Sequence, residues 1–159
     1  MKAIVSVDAN WAIGREGKLL CPVSADLKRF RQITTGHPVI LGRKTLATFP
    51  GGRPLPGRRN LILSRTPGFL VEGAEVFPSL DALLAAAPED SIVIGGESVY
   101  RALLSRCETI WVTQLGRAFP ADAWFPALDQ DPDWRETESG PIQEENGITF
   151  RYITYSRVK

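Results

Sequence analysis

One carboxylate in the sequence is placed where a charge is unexpected. Asp26 lies in the segment Ser24–Thr34, which has the periodicity of an α-helix with Ser24 as its N-cap. On that helix Asp26 falls between Phe30 and Ile33, on the stripe that should face the interior. A carboxylate on an apolar face loses hydration unless a hydrogen-bond donor or a cationic ligand group meets it. The position favours a ligand-binding carboxylate, and a purely structural role at the positive end of the helix dipole stays open.

Three motifs follow predicted strands and are suited to anions. Gly42-Arg43-Lys44-Thr45 combines a glycine, two cations and a hydroxyl at a helix start, where backbone N–H groups favour phosphate. Ser64-Arg65 offers a hydroxyl and a guanidinium. Gly95-Gly96-Glu97-Ser98 places two glycines at a strand-to-helix junction, which permits close backbone approach to a ligand. Each motif alone also suits an ordinary turn, but together they predict a site for a phosphorylated dinucleotide.

The charge distribution also points to an anionic ligand. Nine cations and no carboxylate lie between Leu27 and Val71, whereas the whole chain has a net charge of only +1. Among these cations, Arg58 follows the turn Leu55-Pro56-Gly57 and could clamp a carboxylate of a second ligand. A nucleic-acid partner is disfavoured, because the cations are spread over loops and match no RNA- or DNA-binding motif.

The composition excludes several kinds of chemistry. One histidine (His37) and two cysteines (Cys21 and Cys107) exclude zinc ribbons, CxxC redox pairs, HExxH sites and disulfide scaffolds, so no metal is expected. We expect His37 to be a surface turn residue and Cys107 to be a buried or half-buried thiol without a functional role. No apolar run approaches the roughly 18 residues of a membrane span, and Asp8 interrupts the stretch that could imitate a signal peptide. We expect one cytoplasmic domain spanning residues 1–159.

The elements that would position these groups alternate along most of the chain. Strands are predicted at Ala3–Val7, Pro38–Leu41, Asn60–Ser64, Glu75–Phe77, Ser91–Ile94 and Thr109–Gln114. Helices are predicted at Ser24–Thr34, from Thr45 as a short turn, at Ser79–Ala87 and at Glu97–Ser105. Apolar strands separated by helices predict a largely parallel sheet covered on both faces. Two alternating segments, Trp134–Glu138 and Ile148–Ser156, lie around the turn dipeptide Asn146-Gly147 and predict an antiparallel edge.

Taken in order, the motifs resemble those of the dihydrofolate reductase family from end to end. The residues that carry the resemblance are Ile13-Gly14, Ala25-Asp26-Leu27 with Phe30, Pro38–Thr45, Arg53–Arg58, Ile94-Gly95-Gly96 with Val99-Tyr100, Thr113, and Phe125-Pro126. The resemblance implies an α/β fold with a mixed, mostly parallel eight-stranded sheet, flanking helices and an antiparallel C-terminal hairpin edge. It implies NADPH as cofactor and reduction of 7,8-dihydrofolate to tetrahydrofolate, by hydride transfer to pterin C6 with protonation at N5, in support of one-carbon metabolism. Folate analogues would be further ligands, and we expect a monomer.

The resemblance also assigns roles to individual residues. Asp26 would hydrogen-bond the pterin, Thr113 would support Asp26, and Arg58 would hold the α-carboxylate of the glutamate tail. The other residues implied at the substrate are Ile4, Val5, Leu27, Phe30, Phe49, Leu55, Ile94 and Tyr100. The residues implied at the cofactor are Ser6, Ile13, Gly14, Leu19, Gly42, Arg43, Lys44, Thr45, Ser64, Arg65, Gly95, Gly96, Glu97, Ser98 and Val99. Gly95-Gly96 would form the cis peptide of the family.

Three departures from the family pattern concern the loops around this site. Cys21 and Leu46 stand where tryptophans are usual, and Pro50-Gly51-Gly52 lengthens the loop after Phe49.

Two alternative functions stay open. A pyrimidine reductase of riboflavin synthesis is disfavoured by Asp26 and by the clamp motif that ends at Arg58. A non-catalytic nucleotide- or folate-binding module is disfavoured because Asp26 and the glycine pair are both present.

Overall fold

The computed structural model of this chain describes residues 1–158, and across them it has twelve strands and four α-helices. The strands are β1 (Lys2–Val7), β2 (Ala12–Arg15), β3 (Lys18–Leu19), β4 (Val39–Gly42), β5 (Asn60–Leu63), β6 (Ala74–Phe77), β7 (Ile92–Gly95), β8 (Thr109–Leu115), β9 (Ala123–Trp124), β10 (Trp134–Ser139), β11 (Gln143–Glu145) and β12 (Ile148–Arg157). The helices are α1 (Ser24–Thr34), α2 (Arg43–Leu46), α3 (Leu80–Ala86) and α4 (Glu97–Leu103). Within residues 1–158, no helix is long and apolar enough to cross a membrane.

The main sheet is mixed and mostly parallel. Among the described residues its strands follow the order β10-β12-β8-β1-β7-β4-β5-β6, and β11 pairs with β12 beside this path. The strands from β8 through β6 are parallel to their neighbours, whereas β12 is antiparallel to β8, β10 and β11. The prediction of a mixed eight-stranded sheet with an antiparallel edge is therefore confirmed, and β11 adds a short ninth strand.

The sheet is buried on both faces because successive side chains of its strands point to opposite sides. On one face, Val5 and Val93 pack with residues of α3 and α4, such as Leu83 and Leu103. On the other face, buried side chains of the same strands form a second cluster with Phe30 and other partly buried side chains. The second cluster comprises Ile4, Val39, Leu41, Leu46, Ile62, Ile92 and Ile94, with Phe30, Ile33, Phe49 and Leu55 among the side chains packed against it. The helix that carries Asp26 thus lies on a different face from α4.

Sequence patterning missed the four short strands β2, β3, β9 and β11. β2, β3 and β9 form a small separate antiparallel sheet, which was not predicted. The turn at Asn146-Gly147 joins β12 to β11 rather than to the predicted segment Trp134–Glu138, although β10 pairs with β12 farther along. Gln143–Glu145 gave no strand signal, because its three residues are polar and two of them are acidic. Both turn residues have positive φ (51° and 80°), as the dipeptide predicted.

The expectation that Ser24 caps α1 is wrong. Ser24 is the first helical residue, and Val23 occupies the N-cap position without a side-chain hydrogen bond. A residue far along the chain supplies the acceptor instead: the Glu145 carboxylate accepts the N–H of Ser24 at 2.7 Å and that of Ala25 at 3.2 Å. These two bonds lower the pKa of Glu145, because they stabilise the charged form. The hairpin β11–β12 therefore anchors the start of the helix that carries Asp26.

Replacing Glu145 by glutamine should destabilise the protein at neutral pH. Glu145→Gln removes the charge that two backbone donors and the helix dipole stabilise. Because the folded state lowers the pKa of Glu145, its contribution is present above the ordinary value of 4.5 and is lost as the pH falls below it. We expect a lower urea midpoint than in the unsubstituted protein at pH 7 and converging midpoints toward pH 4. Glu144→Gln, which removes the same charge from the neighbouring exposed residue, should leave the midpoint unchanged.

Candidate active site

A long cleft runs along the edge of the sheet where the parallel strands end. It has a volume of about 1110 Å³ and is lined by the ends of β1, β4, β5 and β7, by the starts of α2 and α4, and by the small sheet. Ligands of open parallel sheets bind outside the carboxyl ends of the strands, so the cleft is where this architecture places a ligand. All of the residues predicted to contact the cofactor line it. They are Ser6, Ile13, Gly14, Leu19, Gly42, Arg43, Lys44, Thr45, Ser64, Arg65, Gly95, Gly96, Glu97, Ser98 and Val99.

Two glycines make close approach to the sheet edge possible. The Gly95-Gly96 peptide is cis, as the resemblance implied, and Gly95 has a φ of 135° that other residues rarely adopt. A β-carbon on Gly96 would lie 3.1 Å from Oγ1 of Thr45, at the start of α2. Since the space in front of these residues belongs to the cleft, the glycines keep the floor of the cleft free of side chains.

Positive charge lines the cleft. Arg43, Lys44 and Arg65 line it together with the N-terminal residues of α4, and Arg15 and Lys18 line it from the small sheet. Backbone N–H groups at helix starts and guanidinium groups both favour phosphate. The side-chain-free floor and these cations fit a phosphorylated dinucleotide, so the residues present are compatible with NADPH.

Asp26 lies in the first turn of α1 and is only partly accessible. The hydroxyl of Thr113 donates a hydrogen bond of 2.5 Å to Oδ1 of Asp26, and Thr113 itself is buried on β8. Burial raises the pKa of Asp26, and the bond from Thr113 together with the charge of Arg29 partly offsets this rise. The two residues predicted to be catalytic are thus in direct contact, and Asp26 is a carboxylate whose proton affinity is higher than usual.

The residues predicted at the substrate fall into three groups. Val5, Ile94 and Tyr100 line the cleft. Ile4, Phe30, Phe49 and Leu55 do not line it, but they share the second hydrophobic cluster with Ile94. Leu27 is half exposed and belongs to neither set. Ile94 thus connects two of these groups, since it lines the cleft and also packs in the second cluster with Phe30 of α1.

Tyr100 connects the cleft to the first strand. Its hydroxyl donates a 2.7 Å hydrogen bond to the carbonyl of Ile4, and its ring packs edge-on against Phe125. Burial holds the pKa of Tyr100 far above its usual range, so the hydroxyl stays protonated. The carbonyl of Ile4, a residue implied at the substrate, thus accepts a hydrogen bond from the protein itself.

Arg58 is held by two hydrogen bonds, and among residues 1–158 it forms no ion pair within 4.0 Å. Its Nε donates to the Pro56 carbonyl at 2.8 Å and its Nη1 donates to Oγ1 of Thr34 at 3.0 Å. Burial and the nearby charge of Arg31 lower the pKa of Arg58, although a guanidinium stays protonated at any working pH. The next residue differs, because Arg59 forms a two-bond pair with Glu75.

Two carboxylates that sequence reasoning missed fasten the loop containing β2 and β3. Asp8 is fully buried and accepts the backbone N–H groups of Asn10, Ala12 and Phe119 at 2.7–3.0 Å. Asp122 accepts the N–H of Glu16 at 2.9 Å. The spacing from Asp8 to Ala12 is that of a local turn. The contact between Asp8 and Phe119, however, joins residues 111 positions apart, so no local pattern in the sequence indicates it.

The residues that depart from the family pattern are accommodated by local packing or by a local turn. Cys21 is half-buried and packs against the cluster of Val23, Leu115 and Phe150. Leu46 is buried in the second cluster. The insertion Pro50–Gly52 forms a 3₁₀ turn in which both glycines have positive φ. None of these residues lines the cleft within the described part of the chain.

The remaining singled-out residues lie away from the cleft. Cys107 is buried, as expected, and burial raises the pKa of its thiol to about 11. His37 lies at the surface, also as expected, with Nδ1 3.1 Å from the Asp90 carboxylate. Among residues 1–158, no three or more His, Cys, Asp or Glu side chains come together as a metal site would require.

The fold and the cleft define an oxidoreductase that uses a phosphorylated nicotinamide dinucleotide. Residues 1–157 match the family model for dihydrofolate reductase. The chain is 36% identical to the type 3 dihydrofolate reductase of Salmonella typhimurium, over 97% of this chain and 96% of that one. It is 39% identical to the dihydrofolate reductase of Mycobacterium leprae, over 91% and 90%. The structure of dihydrofolate reductase from Enterococcus faecalis complexed with NADP(H) and RAB-propyl superposes with a TM-score of 0.88 at 32% identity, over 99% of this chain and 96% of that one.

The chain belongs to the dihydrofolate reductase family. It is an NADPH-dependent reductase of dihydrofolate, and the function expected from the sequence is confirmed.

A side chain on Gly96 should weaken cofactor binding selectively. In Gly96→Ala the new methyl group would press on Oγ1 of Thr45 and project at the floor of the cleft. We expect the Kd for NADPH, measured by quenching of protein fluorescence, to rise about tenfold or more. The matched control is Gly140→Ala, where the methyl group would meet only a carbonyl oxygen at an ordinary 3.7 Å. An unchanged Kd in Gly96→Ala would contradict a cofactor lying against this peptide.

Proposed function

We propose that Asp26 binds the pterin ring of dihydrofolate so that hydride reaches C6 while a proton is taken up at N5. The observation that carries this proposal is the placement of Asp26. The half-buried carboxylate is held at one oxygen by the Thr113 hydroxyl, and it lies on the helix whose Phe30 packs in the same cluster as Ile94, a residue of the cleft. A carboxylate in that position suits a planar ligand that offers an amino group and a ring N–H.

The cofactor would lie along the cleft. Bound NADPH supplies the hydride, which is the chemistry that the protein lacks. Glu97, Ser98 and Val99 would present backbone N–H groups to the pyrophosphate, and Ser64 with Arg65 would hold the 2′-phosphate. Ser6, Ile13 and Gly14 would flank the nicotinamide at the end of β1. These residues supply position, which by itself can contribute much of a rate enhancement.

Asp26 would act through its charge. As the carboxylate nearest to the pterin, an ionised Asp26 stabilises the protonated, cationic ring and so makes N5 easier to protonate. Asp26 would accept hydrogen bonds from the amino group and the ring N–H, which would hold it away from N5, so we propose that a water molecule delivers the proton there. Thr113 fixes the carboxylate orientation by occupying Oδ1.

The apolar side chains would enclose the rings and exclude bulk water. Phe30, Phe49, Leu55 and Ile94 share one hydrophobic cluster, and Leu27 is exposed enough on α1 to cover a ligand. Enclosure strengthens the interaction between the Asp26 charge and the ring, because screening by water is reduced. Arg58 would then hold the α-carboxylate of the glutamate tail at the outer end of this surface.

The same reasoning supports further proposals about the protein as a whole. We propose a monomer composed of one domain, which binds folate analogues at the substrate site and no nucleic acid. Three of the cations that could attract a polyanion, Arg43, Lys44 and Arg65, line the cofactor cleft, and Arg59 is paired with Glu75. We also propose that the enzyme works in the cytoplasm, since both cysteines are unpaired, as in a reducing compartment.

Replacing Asp26 by asparagine should abolish most of the activity while preserving the fold. Asp26→Asn keeps an acceptor for Thr113 but removes the charge, so kcat/KM for dihydrofolate at pH 7 should fall about 100-fold or more. Because the folded state raises the pKa of Asp26, the ionised carboxylate destabilises the protein as the pH rises above its ordinary pKa of 3.8. The variant should therefore unfold at the same or a higher temperature. Loss of NADPH absorbance at an undiminished rate in Asp26→Asn would refute the role of Asp26. Oxidation of NADPH with a ribosylamino-pyrimidine phosphate instead of dihydrofolate would favour the pyrimidine reductase.

Arg58 should distinguish substrates with and without the glutamate tail. Arg58→Leu removes a charge-assisted clamp, so the KM for dihydrofolate should rise roughly 10- to 100-fold. The KM for a dihydropterin that lacks the benzoyl-glutamate should not change. Arg59→Leu is the matched control, because it removes the adjacent arginine, which is paired with Glu75 on the surface. Equal effects of Arg58→Leu on both substrates would contradict the proposed contact.

A further inference from the structure

One cation of α1 is turned toward the body of the protein. Arg29 is half-buried, whereas its neighbours Lys28 and Arg31 are exposed. Arg29 follows Asp26 by three residues, so the two side chains are neighbours on the helix surface. Its guanidinium carbon lies 4.1 Å from the ring centroid of Tyr152 on β12, which is a favourable distance for a cation over an aromatic face. Stacking therefore fixes this cation beside the carboxylate.

The strand pairing connects Tyr152 to the same carboxylate. In the antiparallel register of β8 and β12, Tyr152 lies directly opposite Thr113, and Thr113 donates to Oδ1 of Asp26. Four residues from three elements thus form one cluster, in which each is linked to the next: Asp26 and Arg29 on α1, Thr113 on β8, and Tyr152 on β12. A shift of any one of these elements would move both the donor and the cation relative to Asp26.

Arg29 acts on Asp26 through its charge rather than by a direct bond. Within residues 1–158, the ion pairs of 4.0 Å or less do not include Arg29 with Asp26, and the buried Nη1 of Arg29 has no protein acceptor. A direct pair would occupy the carboxylate oxygens that a ligand needs. A cation held slightly farther away stabilises the ionised form and leaves Oδ2 for the ligand, and partial burial reduces the screening of its charge.

The other groups around Asp26 do not supply this charge. Tyr152 and Tyr100 both interact with Asp26, and burial raises the pKa of each, so both are neutral at working pH. Glu145, at the start of α1 and near Tyr152, is negative and would oppose ionisation of Asp26. The charge of Arg29 is the one that favours the Asp26 carboxylate.

We propose that Arg29 is a positioning residue for the reduction, which stacks on Tyr152 and keeps the Asp26 carboxylate ionised and open to the pterin. This proposal rests on the role of Asp26 in the proposed function. Neither composition nor helical periodicity indicated this role for Arg29. An arginine next to exposed cations is typical of the solvent-exposed face of a helix.

The proton affinity of Asp26 can be measured directly, without turnover. In enzyme labelled with ¹³Cγ-aspartate, the Asp26 signal is assigned by its loss in Asp26→Asn and titrated by NMR. We expect Arg29→Gln to raise the pKa of Asp26 by about 0.5–1 unit, since loss of a nearby opposite charge disfavours the ionised form. Arg29→Lys, which keeps a charge, should show a smaller rise. Lys28→Gln, which removes a charge from the exposed face of the same helix, should show none.

Activity provides a second readout. The acid limb of the kcat/KM profile for dihydrofolate reports free-enzyme groups and should move to higher pH in Arg29→Gln by the same amount as the NMR value. Tyr152→Leu, which removes the stacking partner of Arg29, should also raise the pKa of Asp26 measured by NMR and move the acid limb of the profile to higher pH.

An Asp26 pKa in Arg29→Gln equal to that of the unsubstituted enzyme would overturn the proposal, as would an equal rise in Lys28→Gln. Full activity of Asp26→Asn together with the expected NMR shift would overturn the proposed function but not the charge coupling. The two failures are therefore distinguishable.

Discussion

The Asp26 carboxylate is partly withdrawn from water, and a charge in that position persists only where donors and cations surround it. This requirement explains why residues from distant parts of the chain meet at α1. Thr113 supplies a hydrogen bond, Arg29 supplies a charge, and Glu145 fixes the start of the helix. Burial raises the proton affinity of the carboxyl group, while Thr113 and Arg29 lower it again. The balance keeps Asp26 ionisable next to an apolar surface, which is what a reductase of a protonatable heterocycle requires.

The sheet places the two proposed ligand sites next to each other. Its parallel strands end at one edge, where glycines, helix starts and cations favour phosphate groups. Its second face carries the apolar cluster and α1, which favour a flat ring and its carboxylate tail. Ile94 belongs to both regions, since it lines the cleft and packs in the cluster. The end of β7 is therefore the place where a hydride donor and an acceptor would meet.

Local patterns predicted what local forces determine. The helix at Ser24–Thr34 was predicted with the observed bounds, because its apolar stripe is regular. The strands β4, β5 and β7 were predicted because parallel strands buried on both faces are almost continuously apolar. The cap supplied by Glu145, the loop contact of Asp8 and the stacking of Arg29 on Tyr152 were not predicted, because each joins residues more than 100 positions apart. The roles of single residues came from the resemblance, since spacing alone left Asp26 between a ligand-binding and a structural role.

The cap on α1 also limits how early this protein can finish folding during its synthesis. Ser24 and Glu145 are 121 positions apart, and within residues 1–158 the strands that pair with β1 are β7 and β8. A nascent chain that has emerged as far as α1 has neither the neighbours of its first strand nor the acceptor for its first helix. Contacts of such long range form late, because loop closure precedes any gain from them. The carboxylate at the centre of the chemistry therefore reaches its final setting only after nearly the whole polypeptide has left the ribosome.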